Sequence, residues 1–309
     1  MILVTGGLGF IGTHTVRALR EAGEECVVVQ RSRPASALVE QADVGDLDAL
    51  LDVGKRHRIT GILHLAGSMP WPPGAAPPVG GARRALGGLL NVVEAAQAWG
   101  VRRVGVASTI GVYAGVANGG ALTEDMPLTM DAPHVIPAFK KVGELLNAYL
   151  AGTTGLEIVN YRIAGIWGPG RRPGPFAAAG HLVLAAAEGR APDLDSLAVA
   201  PRAGDASDLC YVEDAGRALA LLHLADRLDH RTYNVGSGRP TSNAEVIAAI
   251  RKVVPGARVD LPEGQNGPPL FLDIARLREA TGFRPAYDVE RATADYLERL
   301  RGPIAARRP

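Results

Sequence analysis

Short runs of apolar residues alternate with segments of helical periodicity through the first half of the chain. Leucines and valines recur at spacings of three and four residues around positions 84–99 and 138–150, which predicts amphipathic helices. Strands that are apolar throughout are typical of a parallel sheet with helices on both faces. The pattern therefore predicts an α/β fold built on a doubly wound parallel sheet. The predicted strands cover residues 2–5, 26–29, 62–66, 104–108 and 158–162.

A glycine-rich turn joins the first predicted strand to the first predicted helix. Gly6, Gly9 and Gly12 are spaced three residues apart, and Val16 and Leu19 continue with helical spacing. Glycines at such a turn let the backbone approach a pyrophosphate, which binds at the free N–H groups of the helix N-terminus. The segment predicts a dinucleotide site, with an ordinary strand–helix turn as the alternative.

The second half of the chain differs in character from the first. Residues 168–175 are rich in glycine and proline, which indicates a transition between domains. Further along, Ser242 and Glu245 form a capping-box pattern that predicts the start of a helix. Asp273 is the predicted N-cap of another helix, which is expected to stop at Gly282.

A proline-rich segment, residues 68–81, follows a predicted strand. It should therefore lie at the carboxyl edge of the sheet, where ligands bind in this architecture. A loop of this length in a compact domain is either a lid or a connector. Trp71 within it either covers an apolar substrate or fills the loop itself.

The chain of 309 residues carries 33 basic and 32 acidic residues, a net charge of +1. This balance predicts neither nucleic acid nor an anionic membrane as a partner. No apolar run reaches the length of a membrane span, and the chain opens on a strand rather than on a signal-peptide pattern. Cys26 and Cys210 lie in apolar contexts without zinc-ligand spacing, so we expect inert core thiols, no metal and a cytoplasmic location.

The end of the second predicted strand bears on the choice of cofactor. An acidic residue there binds the ribose hydroxyls of NAD, whereas a basic neighbour accommodates the extra phosphate of NADP. This chain has Gln30 followed by Arg31 and Arg33, and a guanidinium pairs strongly with phosphate. We therefore expect NADP, with NAD as the alternative if both arginines are only solvated surface residues.

Eight segments together resemble the extended short-chain dehydrogenase/reductase family, which includes NAD-dependent epimerases and dehydratases. The resemblance extends over nearly the whole chain. It implies a Rossmann domain over residues 1–165, which also receives parts of about 205–235, and a smaller, interleaved substrate-binding lobe over 166–309. The eight segments that carry the resemblance are residues 5–12, 42–46, 64–67, 91–96, 108–113, 161–170, 211–215 and 233–236.

The resemblance also implies roles for individual residues. In the family, a Ser or Thr and a Tyr-x-x-x-Lys pair move a proton while a hydride is transferred. Thr109 would then orient the substrate oxygen, and Lys140, with Glu144 four residues later, would bind the nicotinamide ribose. Family members pair through the helices near 84–99 and 138–150, which implies a homodimer. The implied cofactor contacts are Gly6, Gly9, Phe10, Ile11, Gly12, Gln30, Arg31, Arg33, Asp43, Val44, Leu65, Ala66, Gly67 and Lys140.

The chain departs from the family at the catalytic tyrosine. Counting back from Lys140 places Ile136 there, and counting back from Lys141 places Pro137, so neither register supplies a phenol. If hydride chemistry occurs, another acid or base must serve. His134 is nearest in sequence, and the alternative is that it is a loop histidine without a catalytic role. The other candidates are Tyr113, Tyr161, Tyr211 and a water held by Lys140.

Two further departures concern the substrate and the proton relay. Nucleotide-sugar enzymes of the family carry an arginine where this chain has Ser207, and a second one near residues 262–268, which contain no basic residue. The diphosphate clamp is missing, so we expect a smaller or more apolar substrate. Ala85 stands where the family often has an asparagine that supports a relay water. The predicted substrate contacts are Trp71, Thr109, Tyr113, Ile136, Trp167 and Arg171.

These features predict an NAD(P)-dependent oxidoreductase or epimerase-like enzyme that acts on a small carbonyl or alcohol substrate with a non-standard acid/base. Ile136 and Ala85 leave two alternatives open. One is a non-redox lyase or isomerase on the same scaffold. The other is a non-catalytic, NADP-binding regulatory protein.

Overall fold

A computed structural model describes residues 1–32, 38–67, 77–116 and 120–302 of the chain. The strands are β1 (Ile2–Thr5), β2 (Cys26–Gln30), β3 (Val39–Gln41), β4 (Gly61–His64), β5 (Arg103–Thr109), β6 (Ala121–Leu122), β7 (Glu157–Ile163), β8 (Gly165–Trp167), β9 (Ala206–Ser207), β10 (Leu209–Tyr211), β11 (Thr232–Val235), β12 (Thr241–Ser242) and β13 (Phe271–Leu272). The helices are α1 (Phe10–Glu21), α2 (Leu47–Arg56), α3 (Pro78–Trp99), α4 (Val135–Thr154), α5 (Ala179–Glu188), α6 (Val212–Leu224), α7 (Asn243–Val253), α8 (Ala275–Thr281) and α9 (Val289–Arg301).

Parallel strands form the central sheet, in the order β11-β7-β5-β4-β1-β2-β3. β1 pairs with β2 on one side and with β4 on the other, so that Thr5 lies opposite both Val29 and His64. The order of strands therefore reverses beside β1, and the carboxyl ends of β1 and β4 form the crevice where doubly wound sheets bind ligands. The predicted α/β fold with a doubly wound parallel sheet is confirmed.

The strand residues alternate between two apolar cores, because successive side chains of a strand point to opposite faces. Ile2 and Val4 of β1 pack in the core formed with α1 and α6, whereas Leu3 packs in the core formed with α2 and α3. Both faces of the sheet are covered. This explains why its strands are continuously apolar rather than alternating.

A third apolar core lies in the C-terminal part of the chain and joins α5, α7 and α9. Within it the ring of Trp167 packs edge to face on Tyr211 and Tyr296, with centroid distances of 6.0 and 6.2 Å. The two parts of the chain are interleaved, since β11 extends the sheet beside β7 and α6 packs on α1. The domain boundaries at 165 and 166 remain a prediction.

Helix ends agree with the sequence pattern at two of three places. α7 begins with the expected capping box, in which the Ser242 hydroxyl accepts from the backbone N–H of Glu245 and the Glu245 carboxylate accepts from that of Ser242. α8 ends at Gly282, whose φ is 69°. The prediction that Asp273 is its N-cap is wrong by one residue. Ile274 holds that position. Asp273 Oδ1 nevertheless accepts from the first N–H of α8, that of Ala275, at 2.7 Å. A carboxylate one residue before the cap can therefore also satisfy a free donor at the helix start.

A buried arginine connects the sheet to the end of α6. Arg103 is 1% exposed, and its Nε and Nη2 donate to the two carboxylate oxygens of Glu157 at 2.8 and 2.9 Å. Its Nη1 donates to the carbonyl oxygens of Leu222, His223 and Ala225 at 2.8–2.9 Å. These carbonyls lie at the C-terminus of α6, where no helical N–H is available to them. The guanidinium therefore closes this helix end.

Cys26 and Cys210 are buried free thiols, as expected, and burial raises the pKa of Cys26 to about 11. Within the described ranges, no cluster of His, Cys, Asp or Glu side chains has the arrangement of a metal site. In the same part of the chain, every helix is too short or too polar to span a membrane.

Candidate active site

The glycine turn between β1 and α1 is tightly packed. Gly6 has a φ of 70°, a conformation that favours glycine, and a Cβ built on it would lie 2.9 Å from the backbone nitrogen of Ala66. A Cβ on Gly9 would lie 3.0 Å from the Gly6 carbonyl oxygen, and one on Gly12 only 2.1 Å from it. Glycine is therefore required at these positions for α1 to start directly over β1.

The N-terminus of α1 has the features of an anion site. Its N-cap, Gly9, provides no side-chain cap, and the first turn contains no acidic residue. Phe10 and Ile11, the first helical residues, are half-buried beside the turn. Backbone N–H groups at such a helix start favour a negatively charged ligand. The turn and the helix start together fit the pyrophosphate of a dinucleotide.

The residues after β2 lie where the ribose of an adenosine would be recognised in this fold. Gln30 ends the strand half-buried, and Arg31 beyond it is exposed. Arg33 lies outside the described residues. Gln30 is not acidic, so no carboxylate at this strand end would repel a phosphate.

The neighbouring turn brings Asp43 and Val44 to the same edge of the sheet. Asp43 Oδ1 accepts from the backbone N–H of Gly45 at 2.9 Å, which fixes the turn. Asn91 of α3 donates to the Val44 carbonyl at 2.9 Å, and a Cβ on Gly88 would lie 3.0 Å from the Val44 side chain. Val44 is thus held against α3.

A buried histidine supports the other wall of the crevice. Thr5 Oγ1 accepts from the backbone N–H of Ala66 at 3.3 Å and lies 2.8 Å from His64 Nδ1. Thr5 and His64 thus share a buried hydrogen bond where β1 and β4 end. Burial, assisted by the charge of Lys140, lowers the pKa of His64 to about 3. The histidine is neutral, and Thr5 fixes the turn after it by accepting from the backbone N–H groups of Leu65 and Ala66.

The carboxyl end of β5 brings Thr109 next to the start of α4. Thr109 Oγ1 accepts from the backbone N–H of Gly111 at 3.2 Å, and this bond leaves its own proton available. A Cβ on Gly111 would lie 3.5 Å from Thr109 Oγ1 and 3.7 Å from the side chain of Pro137. Ile136, the preceding residue, is half-buried. Its aliphatic side chain has no exchangeable proton.

Lys140 lies one helical turn after Ile136. Its Nζ donates to the Ala107 carbonyl at 2.5 Å, and no carboxylate of the described residues forms a salt bridge with it. Burial lowers the pKa of Lys140 to about 8, an effect that the charge of Glu144 partly offsets. The side chain of Lys141 lies elsewhere, because its Nζ donates to the Thr129 carbonyl at 2.6 Å.

A cavity of about 40 Å³ lies beside Lys140, between the sheet and helices α3 and α4. We call it the Lys140 cavity. Ala85 forms part of its wall and offers no side-chain hydrogen bond. Asn147 donates to Asn160 Oδ1 at 2.7 Å, but its own Oδ1 is buried without a partner among the described residues. The polar residues around the cavity are His64, Ser108, Lys140, Glu144, Asn147 and Asn160.

A buried hydrogen-bond network runs from this cavity towards the C-terminal part of the chain. Ser108 donates to Glu144 at 2.5 Å, and Arg162 Nη2 donates to the same carboxylate at 2.7 Å. Arg162 Nη1 then donates to the Tyr113 hydroxyl, which donates to Asn234 Oδ1, both at 2.9 Å. Glu144 is therefore occupied by Arg162 and is not the counter-ion of Lys140.

His134 caps α4 rather than pointing freely into the crevice. Its Nδ1 accepts from the backbone N–H of Ile136 at 3.4 Å, and its ring stacks on Phe176 with centroids 5.2 Å apart. Burial lowers the pKa of His134. An Nδ1 that accepts a hydrogen bond belongs to a neutral ring with its proton on Nε2. The ring of His134 is therefore engaged in the cap of α4.

The tyrosines considered as substitutes are enclosed by protein. The Tyr113 hydroxyl is used by the buried network, and Tyr211 donates to Asp295. The Tyr161 hydroxyl is buried without a partner in the described ranges. Burial raises the pKa of all three phenols, which makes them weaker acids. None of them lines the Lys140 cavity.

The remaining predicted substrate contacts are dispersed. Trp167 is 6% exposed in the third core, and its Nε1 has no partner among the described residues. Arg171 is exposed in the segment after β8, and Trp71 lies outside the described residues. The structure thus places the first turns of α4, with Ile136 and Lys140, at the carboxyl end of β5 that carries Thr109, and encloses Tyr113 and Trp167 in protein.

Sequence reasoning missed the roles of Ser108, Arg162 and Asn147. Arg162 carried a usable signal, because an arginine within an otherwise apolar strand requires a buried carboxylate partner, and Glu144 was available on the neighbouring helix. Asn147 carried none, since its position beside Asn160 depends on how α4 packs on β7.

Comparison of the sequence with known proteins identifies its family. The sequence model of the NAD dependent epimerase/dehydratase family matches residues 2–236. A UDP-glucose 4-epimerase of Azospirillum brasilense is 30% identical, with 93% of this chain and 88% of that protein covered.

Solved structures agree with the sequence comparison. A UDP-glucose 4-epimerase of Thermus thermophilus in complex with NAD superposes with a TM-score of 0.75 at 25% identity, covering 97% of this chain and 99% of that one. A GalE-like L-threonine dehydrogenase of Cupriavidus necator, in its holo form, superposes with a TM-score of 0.80 at 25% identity. The superposition covers 96% of this chain and 98% of that one.

Proposed function

The chain belongs to the NAD dependent epimerase/dehydratase family, and we propose that it interconverts a small carbonyl compound and its alcohol with NADP and without a catalytic tyrosine. Family membership makes it a nicotinamide dinucleotide-dependent enzyme of the short-chain dehydrogenase/reductase type. The dinucleotide, when bound, supplies or accepts a hydride. The other parts of the proposal concern the substrate, the form of the cofactor and the assembly.

The observation that carries the proposal is the proximity of the crevice to Thr109 and Lys140. The glycine turn and the start of α1 fit a dinucleotide, as the contacts of Gly12 indicate. Thr109 has a hydroxyl proton that its bond to Gly111 does not use, so it can orient a substrate oxygen. Lys140, half-buried beside the crevice, can hold the nicotinamide ribose by donating from Nζ.

A small substrate fits the charge distribution better than a nucleotide sugar. Ser207 lies in the short strand β9 and offers no positive charge where the family has an arginine. Arg202 contacts the loop at 262–268 from outside it, and its Nη1 donates to the Glu263 carbonyl at 2.9 Å. Arg171 is exposed after β8 and could hold one anionic group of a small substrate. A single carboxylate is therefore the most highly charged group that we propose for the substrate.

NADP is proposed over NAD because of Arg31. Replacing Arg31 by alanine is expected to weaken NADP binding by about ten- to a hundredfold, the value of one hydrogen-bonded charge pair, and to leave NAD binding nearly unchanged. Arg58→Ala is the matched control. Arg58 is exposed just before β4, so it lies at the amino edge of the sheet, whereas Arg31 lies at the carboxyl edge. Calorimetric titration with both dinucleotides measures the effect. Equal losses for NADP and NAD, or tighter NAD binding by the unchanged protein, would contradict the assignment.

A homodimer is proposed through α3 and α4. Leu145 and Tyr149 of α4 are 72% and 66% exposed, and Leu90 of α3 is 43% exposed, which forms an apolar strip on these helices. We expect a dimer mass by sedimentation and a shift towards monomer in Leu145→Glu. Val253→Glu, which places the same charge on an exposed apolar position of α7, should leave the mass unchanged. A monomeric unchanged protein would exclude this interface.

A reducing location such as the cytoplasm is also proposed. Cys26 and Cys210 are both free and buried, and neither is engaged in a disulfide. Proteins of oxidising compartments more often carry disulfides.

A carbonyl panel tests the proposed activity. The purified protein is incubated with NADPH and small aldehydes, ketones and 2- or 3-keto acids, while reduced nicotinamide is followed by its near-ultraviolet absorbance. We expect consumption with at least one class. Substrate loss without a change in the dinucleotide indicates a non-redox lyase or isomerase instead. Tight NADPH binding without turnover over the whole panel indicates a regulatory protein.

A further inference from the structure

We propose that Lys140 itself is the catalytic acid/base of this enzyme, donating its ammonium proton to the substrate oxygen in reduction and accepting it in oxidation. This inference rests on the proposed function and assigns the proton transfer that Ile136 cannot perform. A lysine that only holds the nicotinamide ribose stays an ammonium. In the role proposed here, Lys140 Nζ alternates between ammonium and neutral amine.

The first argument is the set of contacts around Nζ. An ammonium group has three donors, and Lys140 Nζ has the Ala107 carbonyl as its hydrogen-bond acceptor at 2.5 Å. Glu144, four residues later on the same helix, is held by Arg162 and Ser108. A half-buried ammonium without an ion pair is destabilised relative to its neutral amine. The group can therefore release a proton at moderate pH, in agreement with its pKa of about 8.

The second argument is the charge around the Lys140 cavity, taken from each element that packs against it. Two titratable side chains face the lysine. Glu144 of α4 favours the ammonium, and His64 of β4 is neutral because of its burial. The other lining residues carry no charge, among them Leu86 and Leu89 of α3, Ser108 of β5, Phe139 and Asn147 of α4 and Asn160 of β7. Burial outweighs the opposing charge of Glu144, so the balance in the cavity favours the neutral amine relative to a lysine in water.

The third argument is access for a proton. The cavity of about 40 Å³ is large enough to hold water. It is lined by Asn147, whose Oδ1 is buried without an acceptor role among the described residues. An acceptor of this kind can hold a water in the cavity that Lys140 also lines. In the proposed cycle, a water in this cavity returns the proton to the amine after each turnover.

The position on α4 gives the fourth argument. Ile136 and Lys140 are one turn apart and therefore share a face of the helix, and Thr109 lies beside the start of that helix. Ile136 has no proton to exchange, and Glu144 on the same face is held by Arg162 and Ser108, which leaves Lys140 for proton transfer. The side chain of His134, two residues before Ile136, is used by the helix cap.

The proposed step balances as follows in the direction of reduction. The substrate carbon takes up a hydride from the reduced dinucleotide, and its oxygen takes a proton from the Lys140 ammonium. An O–H bond forms, the N–H bond breaks, and a neutral amine and an alcohol remain. Water returns the proton to the amine. Thr109 keeps the substrate oxygen in place by donating a hydrogen bond to it.

A titration of the lysines tests the assignment without reference to turnover. The chain contains only four lysines, Lys55, Lys140, Lys141 and Lys252, so carbon-13 labelling at the ε position gives four resolvable signals. We expect one signal to titrate near pH 8 and to be missing from Lys140→Arg but present in Lys141→Arg. Four signals that titrate near the ordinary lysine value of about 10.4 would overturn the inference.

Kinetics of Lys140→Arg then separate proton transfer from ribose binding. Arginine keeps a positive charge and donors but does not release a proton in proteins. We expect reduction to slow by about a hundredfold or more, while the Kd for the dinucleotide changes by less than about tenfold. In the unchanged enzyme, kcat/KM for reduction should fall as pH rises through about 8, because the ammonium is lost, and the oxidation rate should fall as pH drops through the same range.

The outcomes distinguish this inference from the proposed function. Undiminished reduction by Lys140→Arg, or an unchanged pH profile, overturns the role of Lys140 while leaving the enzyme a reductase. Loss of dinucleotide binding in Lys140→Arg, with turnover restored at saturating NADPH, also overturns it, because the lysine then only holds the ribose. An unchanged protein that transfers no hydride overturns the proposed function, and the catalytic role of Lys140 with it.

Discussion

Replacing Gly12 by alanine is expected to reduce dinucleotide binding by about a hundredfold or more. The added Cβ would lie 2.1 Å from the Gly6 carbonyl oxygen and 2.7 Å from Cα of Gly7. Both neighbours are backbone atoms of the turn itself, so α1 must move away from β1. A displacement of about 1 Å at a binding site is enough for an effect of this size. Overpacking should also cost about 1–3 kcal/mol of stability.

Gly152→Ala is the matched control for this change. Gly152 is exposed on α4, and a Cβ there meets no heavy atom within 4 Å. Alanine in a helix interior is more favourable than glycine by about 1 kcal/mol, so this variant should be slightly more stable and bind the dinucleotide normally. Calorimetric titration and thermal unfolding of both variants measure the two effects. Normal NADP and NAD binding by Gly12→Ala would contradict the assignment of the glycine turn as the pyrophosphate site.

The largest loss of stability is expected from Arg103→Met. The change leaves the carbonyl oxygens of Leu222 and His223 without their side-chain donor, removes one of the two arginine donors of the Ala225 carbonyl and breaks both bonds to Glu157. A buried acceptor left unsatisfied typically costs about 1–3 kcal/mol, so the loss of these bonds together with the pair to Glu157, which is 31% exposed, should cost about 3–5 kcal/mol in all. The free energy of unfolding, measured by denaturant titration, should fall by this amount.

Arg102→Met is the control, since Arg102 is adjacent in sequence but exposed, and its Nη2 also donates to the Ala225 carbonyl, at 2.8 Å. Its replacement should change the free energy of unfolding by less than about 1 kcal/mol. Equal losses in the two variants would mean that the buried guanidinium has no special role at the end of α6.

The parts of the fold that local spacing determines could be predicted from the sequence. The unbroken apolar run at Val27 and Val28 predicts a buried strand because both faces of a parallel sheet are covered. The three glycines of the turn predict a dinucleotide site because their spacing is set by the turn itself. The register that aligns Ile136 with Lys140 follows from a helical repeat. In each case the determining residues lie within a few positions of one another.

Features that depend on distant partners could not be predicted. Arg103 and its acceptors at the end of α6 are more than a hundred residues apart in the chain, and only the packed sheet brings them together. The unpartnered Oδ1 of Asn147 and the Lys140 cavity depend on the gap between α3, α4 and the sheet. Asp273 was misplaced by one residue because the same carboxylate can serve a helix start from either position.

Isotope transfer from the cofactor to the product tests the central claim most directly. NADPH that carries deuterium at C4 of the nicotinamide, prepared separately with the label on each face, is incubated with the unchanged protein and the carbonyl compound that the panel identifies. The product is analysed by mass spectrometry. The account predicts one deuterium in the alcohol from one labelled face only, although Ile136 occupies the position of the tyrosine. An unlabelled product from both preparations, or a substrate consumed while all deuterium stays in the cofactor, would contradict it.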